Sequence, residues 1–271
     1  MSAQPVADRL AGKVAIVSGA GQTPGTTIGN GKAIALLFAR AGAKVLCVDR
    51  EEARAQSTAD EITSEGGLAA PCAADITSPE SGAAILAACA AAFGPPDILI
   101  NNVGIGDRGD GPAHKLTEEA FDRTLRINLK GAWLLSKAVL PSMLERRSGA
   151  IVNISSLASI AGGFQLAYEL SKAGLNRMTT SIAMSGASRG VRCNCITPGL
   201  MDTPMAISGI SQKTGVPEDE LRAQRAARVP MKRMGTGWDT AYAALFLASD
   251  EAAYVTGAIL PVDGGGSVLI G

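Results

Sequence analysis

Histidine is nearly absent from this chain. His114 is the only one in 271 residues, and the five cysteines are an odd number. A structural zinc centre takes four nitrogen or sulfur ligands, and a catalytic one keeps three protein ligands and an open position. Cys193 and Cys195 stand two apart on a strand-like stretch and share a face, but His114 lies in a distant loop, so no metal is expected. With Cys47, Cys72 and Cys89, which sit in apolar or Ala-rich surroundings, they read as reduced structural thiols. An excess of either charge is missing too: 25 basic residues balance 25 acidic ones, which leaves no electrostatic footprint for nucleic acid. No apolar run approaches the roughly 20 residues that span a bilayer. The opening residues, Met1 to Leu10, lack the apolar centre of a secretion signal. A cytoplasmic protein without membrane or nucleic-acid partners is expected. Nothing resembling a Pro/Ser-rich linker, a charge run or a low-complexity tract divides the chain, so residues 1–271 are read as one domain.

What is present is alternation. Short β-branched runs at 13–18, 44–49, 68–73, 97–100, 150–155, 191–196 and 258–262 read as strands. Ala-rich stretches near 31–41, 51–65, 79–93, 117–146, 165–186 and 237–249 read as helices. Strands separated by helices imply parallel units with right-handed crossovers. The near-continuous apolarity of the strands implies helices on both faces. The expected architecture is α/β, a single-domain Rossmann fold with a doubly wound parallel sheet of about seven strands. Ligands of such sheets bind beyond the carboxyl ends of the strands.

The first strand runs into a glycine-rich stretch, Ser18 to Gly31, before a helix opens. Glycines there allow a tight turn and let amides approach a pyrophosphate at the helix N-terminus. Asp49, eighteen residues after Gly31, ends the second strand, where an acid bonds both ribose hydroxyls and repels a 2′-phosphate. NAD is therefore favoured over NADP, although Arg50 next to it could stack on adenine or blunt that repulsion. Further along, Tyr168 and Lys172 stand four apart in a helical stretch and share a face. A phenol with a pKa of roughly 10 is a poor base near neutrality, and a neighbouring ammonium favours the phenolate.

With this loop, Asp49, Asn101-Asn-Val-Gly104, Asn128, Ile154-Ser-Ser156, Tyr168-x-x-x-Lys172 and Pro198-Gly199, the chain resembles the classical short-chain dehydrogenases/reductases from about Leu10 to Gly265. The resemblance implies hydride transfer between a nicotinamide and a carbonyl/alcohol pair, in a homotetramer. It implies Tyr168 as general acid/base, Lys172 as the group that lowers its pKa and holds the nicotinamide ribose, and Ser156 on the substrate oxygen. Asn128 supports the lysine's proton-relay water. For the cofactor it implies Ser18, Gly19, Thr27, Ile28, Gly29 and Gly31 around the pyrophosphate, Asp49 and Arg50 at the ribose, and Asp75 and Ile76 at the adenine. Asn102, Val103 and Gly104 lie along the cofactor, and Pro198, Gly199, Met201 and Thr203 hold the carboxamide side.

Three departures stand out. Nine residues separate Gly19 from Gly29, so about six extra ones, roughly Gln22 to Thr27, must bulge near the phosphates. This loop is similar to that of enoyl-thioester reductases in the same superfamily, but those place tyrosine and lysine further apart, and Leu stands at position 175. Ser18 replaces the usual threonine. The usual serine-to-tyrosine spacing would select Ser155, whereas the Asn153-Ile-Ser-Ser register selects Ser156. Only one of the two can face the substrate, because strand side chains alternate.

The segment 200–234 is where the family keeps its mobile lid. Met201, Met205, Ile207 and Ile210 there either line an apolar pocket or pack on the core, and Leu157, Phe164 and Leu166 add wall. Arg222, Arg225 and Arg228 read as a solvated helix face, and His114 as an exposed loop residue. The apolar tail Gly264–Gly271 is expected against a neighbouring subunit. The reading is an NAD-dependent dehydrogenase/reductase acting on a small-molecule secondary alcohol or ketone. An NADPH-dependent 3-oxoacyl-thioester reductase and a non-catalytic nucleotide sensor remain as alternatives.

Overall fold

The computed structural model describes residues 8–269. The opening residues 1–7 and the last two of the expected tail contact lie outside them. In chain order the elements are β1 (Val14–Ser18), α1 (Asn30–Arg40), β2 (Lys44–Asp49), α2 (Glu52–Ser64), β3 (Leu68–Ala73), α3 (Ser81–Ala92), β4 (Ile98–Asn101), α4 (Glu118–Leu125) and α5 (Gly131–Arg146). There follow β5 (Gly149–Ile154), α6 (Leu166–Gly186), β6 (Val191–Pro198), β7 (Met201–Asp202), α7 (Ser208–Thr214), α8 (Glu218–Arg228), β8 (Gly235–Thr236), α9 (Gly237–Ala248) and β9 (Ile259–Val262).

All seven expected strands pair in parallel, in the order β3-β2-β1-β4-β5-β6-β9, while β7 and β8 form a separate two-residue ladder under the lid. The alternation of strand side chains splits the core in two. Ala15, Val17, Val45, Cys47, Ile98 and Ile100 pack with α1 and α9 on one face. Val14, Ile16, Leu46, Val48 and Leu99 pack with α3, α5 and α6 on the other. Pro71, which lacks an amide for a central ladder, lies on the edge strand β3. The order reverses between β1 and β4, the place where doubly wound sheets open a crevice.

One expected helix is not continuous. Residues 117–146 divide into α4, a π-helical turn at Arg126–Lys130 and α5. The apolar pattern cannot register that turn, which adds a residue to the ladder without changing composition. Asn128 sits in the middle of it.

Candidate active site

A cleft of about 390 Å³ opens at the reversal between β1 and β4. Its floor is the glycine-rich turn. Gly31 has no room for a side chain: a Cβ there would stand 1.9 Å from the Gly19 carbonyl oxygen and 2.4 Å from Asn102 Nδ2. Asn102 Nδ2 in turn donates to that carbonyl at 3.0 Å, joining the end of β4 to the turn. The first turn of α1 has no side-chain cap, and the buried Thr27 Oγ1 and Asn30 Oδ1 are without partners. Uncapped helix amides beside free polar groups suit a pyrophosphate, so the residues present fit a dinucleotide here.

At one end of the cleft Asp49, Arg50, Asp75 and Ile76 form the wall, with Arg54 and Arg126 beside them. Asp49 Oδ1 accepts from the Glu51 amide at 3.0 Å, and Arg50 lies 3.3 Å from Glu51. The Thr77 amide holds the Asp75 carboxyl below its usual range. Asn102, Val103 and Gly104 run along the middle, and Thr203 closes the far side with Pro204 and Met205.

At the other end stand Tyr168 and Lys172. They lie on one face of α6, with the lysine Nζ 5.7 Å from the centre of the phenol ring. Lys172 is buried, and its Nζ donates to the Ile154 carbonyl at 3.0 Å. Burial pushes the ammonium down to about 8. It also pushes the Tyr168 phenol up, while the neighbouring Ser156 hydroxyl pulls it down. The expected pull of Lys172 on the phenol is therefore outweighed, because the same burial that brings them together disfavours both charged forms.

The two serines part as the pleat requires. Ser155 is buried and donates to the Lys172 carbonyl at 2.9 Å, a contact that ties β5 to α6. Ser156 is only half-buried; its Oγ accepts from the Ala158 amide at 3.1 Å and borders the phenol. Asn128 is fully buried. It grips both polar atoms of Ile105, accepting from the amide at 2.8 Å and donating to the carbonyl at 3.0 Å, and reaches Ser171 Oγ at 3.1 Å.

Several expected cofactor residues do not line the cleft. Ser18 is buried and donates to the Ile100 carbonyl at 3.0 Å. Ile28 packs on the core, and Pro198, Gly199 and Met201 lie behind the wall. Sequence reading passed over Gln22, Arg54, Arg123 and Arg126. The last two could have been placed by counting back one turn and two residues from Asn128; Gln22 could not, since it depends on the path of the inserted loop.

That path leads to the lid. Gln22 Oε1 accepts from the Gly29 amide at 3.1 Å. Gly25 lies so close to Pro204 and Ser208 that a Cβ would meet Pro204 Cβ at 2.7 Å. Thr26 Oγ1 donates to Glu218 at 3.0 Å and accepts from Arg222 at 2.9 Å. Arg222 also binds Asp202, Glu218 and Asp219 at 3.0 to 3.1 Å. The arginine expected on a solvated face is thus the hub of an ionic cluster, while Arg228 is exposed and Arg225 half-buried. Met201 and Ile207 are buried and Ile210 packs on the small lid core, so of the four apolar lid residues Met205 alone reaches the cleft wall. Phe164 is exposed, and so is His114 in its loop.

Comparison with known proteins agrees with this arrangement. A family model described as Enoyl-(Acyl carrier protein) reductase matches residues 25–267. The chain is 40% identical to a 3-oxoacyl-acyl-carrier-protein reductase of Vibrio cholerae, covering 94% of this chain and 98% of that protein. It is 38% identical to the 2-(R)-hydroxypropyl-CoM dehydrogenase of Xanthobacter autotrophicus, covering 93% and 97%. A solved short-chain dehydrogenase/reductase from Burkholderia xenovorans superposes with a TM-score of 0.88 at 43% identity, covering 98% of this chain and all of that one. Ordered motifs, sheet topology and relatives matched over nearly their whole length lead to one conclusion: the chain is an oxidoreductase belonging to the classical short-chain dehydrogenase/reductase family.

Proposed function

We propose that this protein interconverts a small to medium secondary alcohol and its ketone with NAD(H) as cofactor. The observation that carries the reading is the convergence of Tyr168, Ser156 and Lys172 at one end of a cleft whose other end presents Asp49. When bound, the nicotinamide accepts or supplies the hydride. Tyr168 takes the hydroxyl proton as the alcohol is oxidised and returns it in reduction. Ser156 Oγ donates a hydrogen bond to the same substrate oxygen and steadies charge developing on it. Lys172, anchored on Ile154, favours the phenolate and holds the nicotinamide ribose. Asn128 fixes Ile105 and, through Ser171, the helix that carries the pair.

Gly19, Thr27, Gly29 and Gly31 take the pyrophosphate side, with Ser18 and Ile28 supporting the turn from behind. Asp49 and Arg50 take the adenosine ribose, and Asp75 and Ile76 the adenine. Asn102, Val103, Gly104, Pro198, Gly199, Met201 and Thr203 shape the nicotinamide end, under a lid of residues 200–234. A homotetramer accords with the exposed Trp133, Tyr254 and Leu269.

A second reading, an NADPH-linked 3-oxoacyl-thioester reductase, is favoured by the three arginines near Asp49, namely Arg50, Arg54 and Arg126. Parallel titrations with NADH and NADPH, read by nicotinamide fluorescence, separate the two. Tighter NADH binding upholds the NAD reading. Tighter NADPH binding overturns it and directs substrate trials to thioesters.

A further inference from the structure

We propose that Asp110 is a positioning residue for Tyr168, acting from a loop 58 residues away in sequence. The inference rests on Tyr168 being the proton-transfer group and goes beyond it by naming what holds that group in register.

The first amides of a helix have no partners within the helix and must find them elsewhere. At α6 the local candidates do not serve. Gln165, at the cap position, makes no side-chain capping bond, and Glu169 in the first turn reaches back to the amides of Gly163 and Gln165 at 2.7 and 3.2 Å. The loop after β4 fills the gap. The Leu166 amide donates to the Gly111 carbonyl at 3.2 Å. The Ala167 amide donates to Asp110 Oδ1 at 3.0 Å and the Tyr168 amide to Asp110 Oδ2 at 2.9 Å. The Gly111 amide, 2.8 Å from Asp110 Oδ1, fixes the carboxylate itself. A carboxylate that spans two adjacent amides at a helix N-terminus gains charge-assisted bonds and a favourable helix dipole together.

Two further contacts turn this cap from a matter of stability into one of alignment. The same loop is pinned at its other end, where Asn128 holds both polar atoms of Ile105. Lys172, one turn beyond Tyr168, has its own anchor on Ile154. If the cap is lost, the first turn of α6 shifts and takes the phenol with it, while the lysine stays in place. Proton transfer should then suffer without loss of nucleotide binding. A misplacement of about 1 Å at a reacting group can cost about 100-fold in rate.

The test compares Asp110→Ala and Asp110→Asn with the parent. Turnover is assayed on a panel of secondary alcohols with NAD and on acetoacetyl-N-acetylcysteamine with NADH and NADPH. Binding of both reduced nucleotides and amide hydrogen exchange are measured alongside. We expect Asp110→Ala to lower kcat about 10- to 100-fold, to leave nucleotide affinity within about threefold, and to speed exchange in residues 166–169 alone. Asp110→Asn, which keeps one acceptor oxygen, should recover part of the loss.

Unchanged kcat in Asp110→Ala overturns the proposal, and so does unchanged exchange at Ala167 and Tyr168. A joint fall of kcat, nucleotide affinity and melting temperature in both variants assigns Asp110 to general folding and also overturns it. The exchange experiment needs no turnover, so it decides even where no substrate on the panel reacts. Tyr168→Phe separates the two levels. If that variant still turns over, the functional reading falls; if it is dead while Asp110→Ala is not, only the present inference falls.

Discussion

Around Lys172 the polar contacts are out of reach of water, whereas those between the 22–27 loop and the lid are in contact with it. Lys172, Asn128, Ser155 and Ser171 are all buried, and their bonds join β5, α6 and the π turn to the loop after β4. Arg222, Glu218 and Asp202 make contacts of similar length, yet their side chains keep 22 to 28% of their surface exposed, and Asp219 is fully open. Leaving a buried partner unsatisfied costs about 1–3 kcal/mol, while an exposed ion pair contributes about 0.2–1 kcal/mol. The catalytic end is therefore built to stay fixed. The cover over the cofactor end is held strongly enough to have a resting position and weakly enough to leave it.

The sharpest way to break this comparison is at its fixed side. Tyr168→Phe should lower turnover about 1000-fold or more and leave nucleotide affinity within a few fold, measured by steady-state rates and fluorescence titration. Activity near the parent level would remove the catalytic end from the argument.

Next comes the polar end of the same cleft. Asp49→Ala should shift the NADH-to-NADPH affinity ratio toward NADPH by about tenfold or more, since it removes the repulsion of a 2′-phosphate and leaves Arg50, Arg54 and Arg126 in place. An unchanged ratio would mean that the arginines already dominate.

Lys172 gives a prediction with a sign. Its pKa falls from the usual 10.5 to about 8 on burial, so between these values the unfolded chain binds more protons than the folded one. The contribution of this group to stability therefore rises with pH from about 8 to 10.5, and below about 8 the buried ammonium carries its full cost. Lys172→Met should abolish turnover yet melt no lower than the parent at pH 7, with any gain shrinking as pH climbs through that window. Calorimetry at pH 7 and pH 10 checks this; a gain that grows with pH would contradict it.

The smallest effect belongs to the cover. Arg222→Ala should cost under about 1 kcal/mol of stability and speed nucleotide dissociation a few fold, and added salt should mimic it in the parent. Stopped-flow release of NADH measures the difference, and equal, salt-independent rates would show that the latch is idle.

Much of this could be read before any fold was known. Strand positions were legible because parallel strands covered on both faces are nearly continuous apolar runs, as at Val14–Ser18 and Ile98–Asn101. Tyr168, Lys172 and Ser156 were legible because helix and strand periods are local. What escaped depends on distance in sequence. Asp110 reaches α6 from another loop, Arg222 meets Thr26 across 196 residues, and neither pairing leaves a mark in composition. The lid methionines and isoleucines carried the same apolar signal whether they faced a ligand or the core, and burial alone separated Met201 from Met205.

The wide turn at Arg126–Lys130 carries a consequence for how such a site can be lost. Removing one residue there would yield the uninterrupted α-helix that the pattern over 117–146 suggests, and intrinsic helix propensity would not resist it. Yet each residue of an α-helix is worth about 100° of rotation, so α4 and α5 would fall out of phase by that amount. Asn128 would swing away from Ile105, and Arg123 and Arg126 would leave the cleft wall. Part of this site is thus stored as a count of residues rather than as their identities. A homologue could keep every named side chain and still lose the geometry through a single deletion.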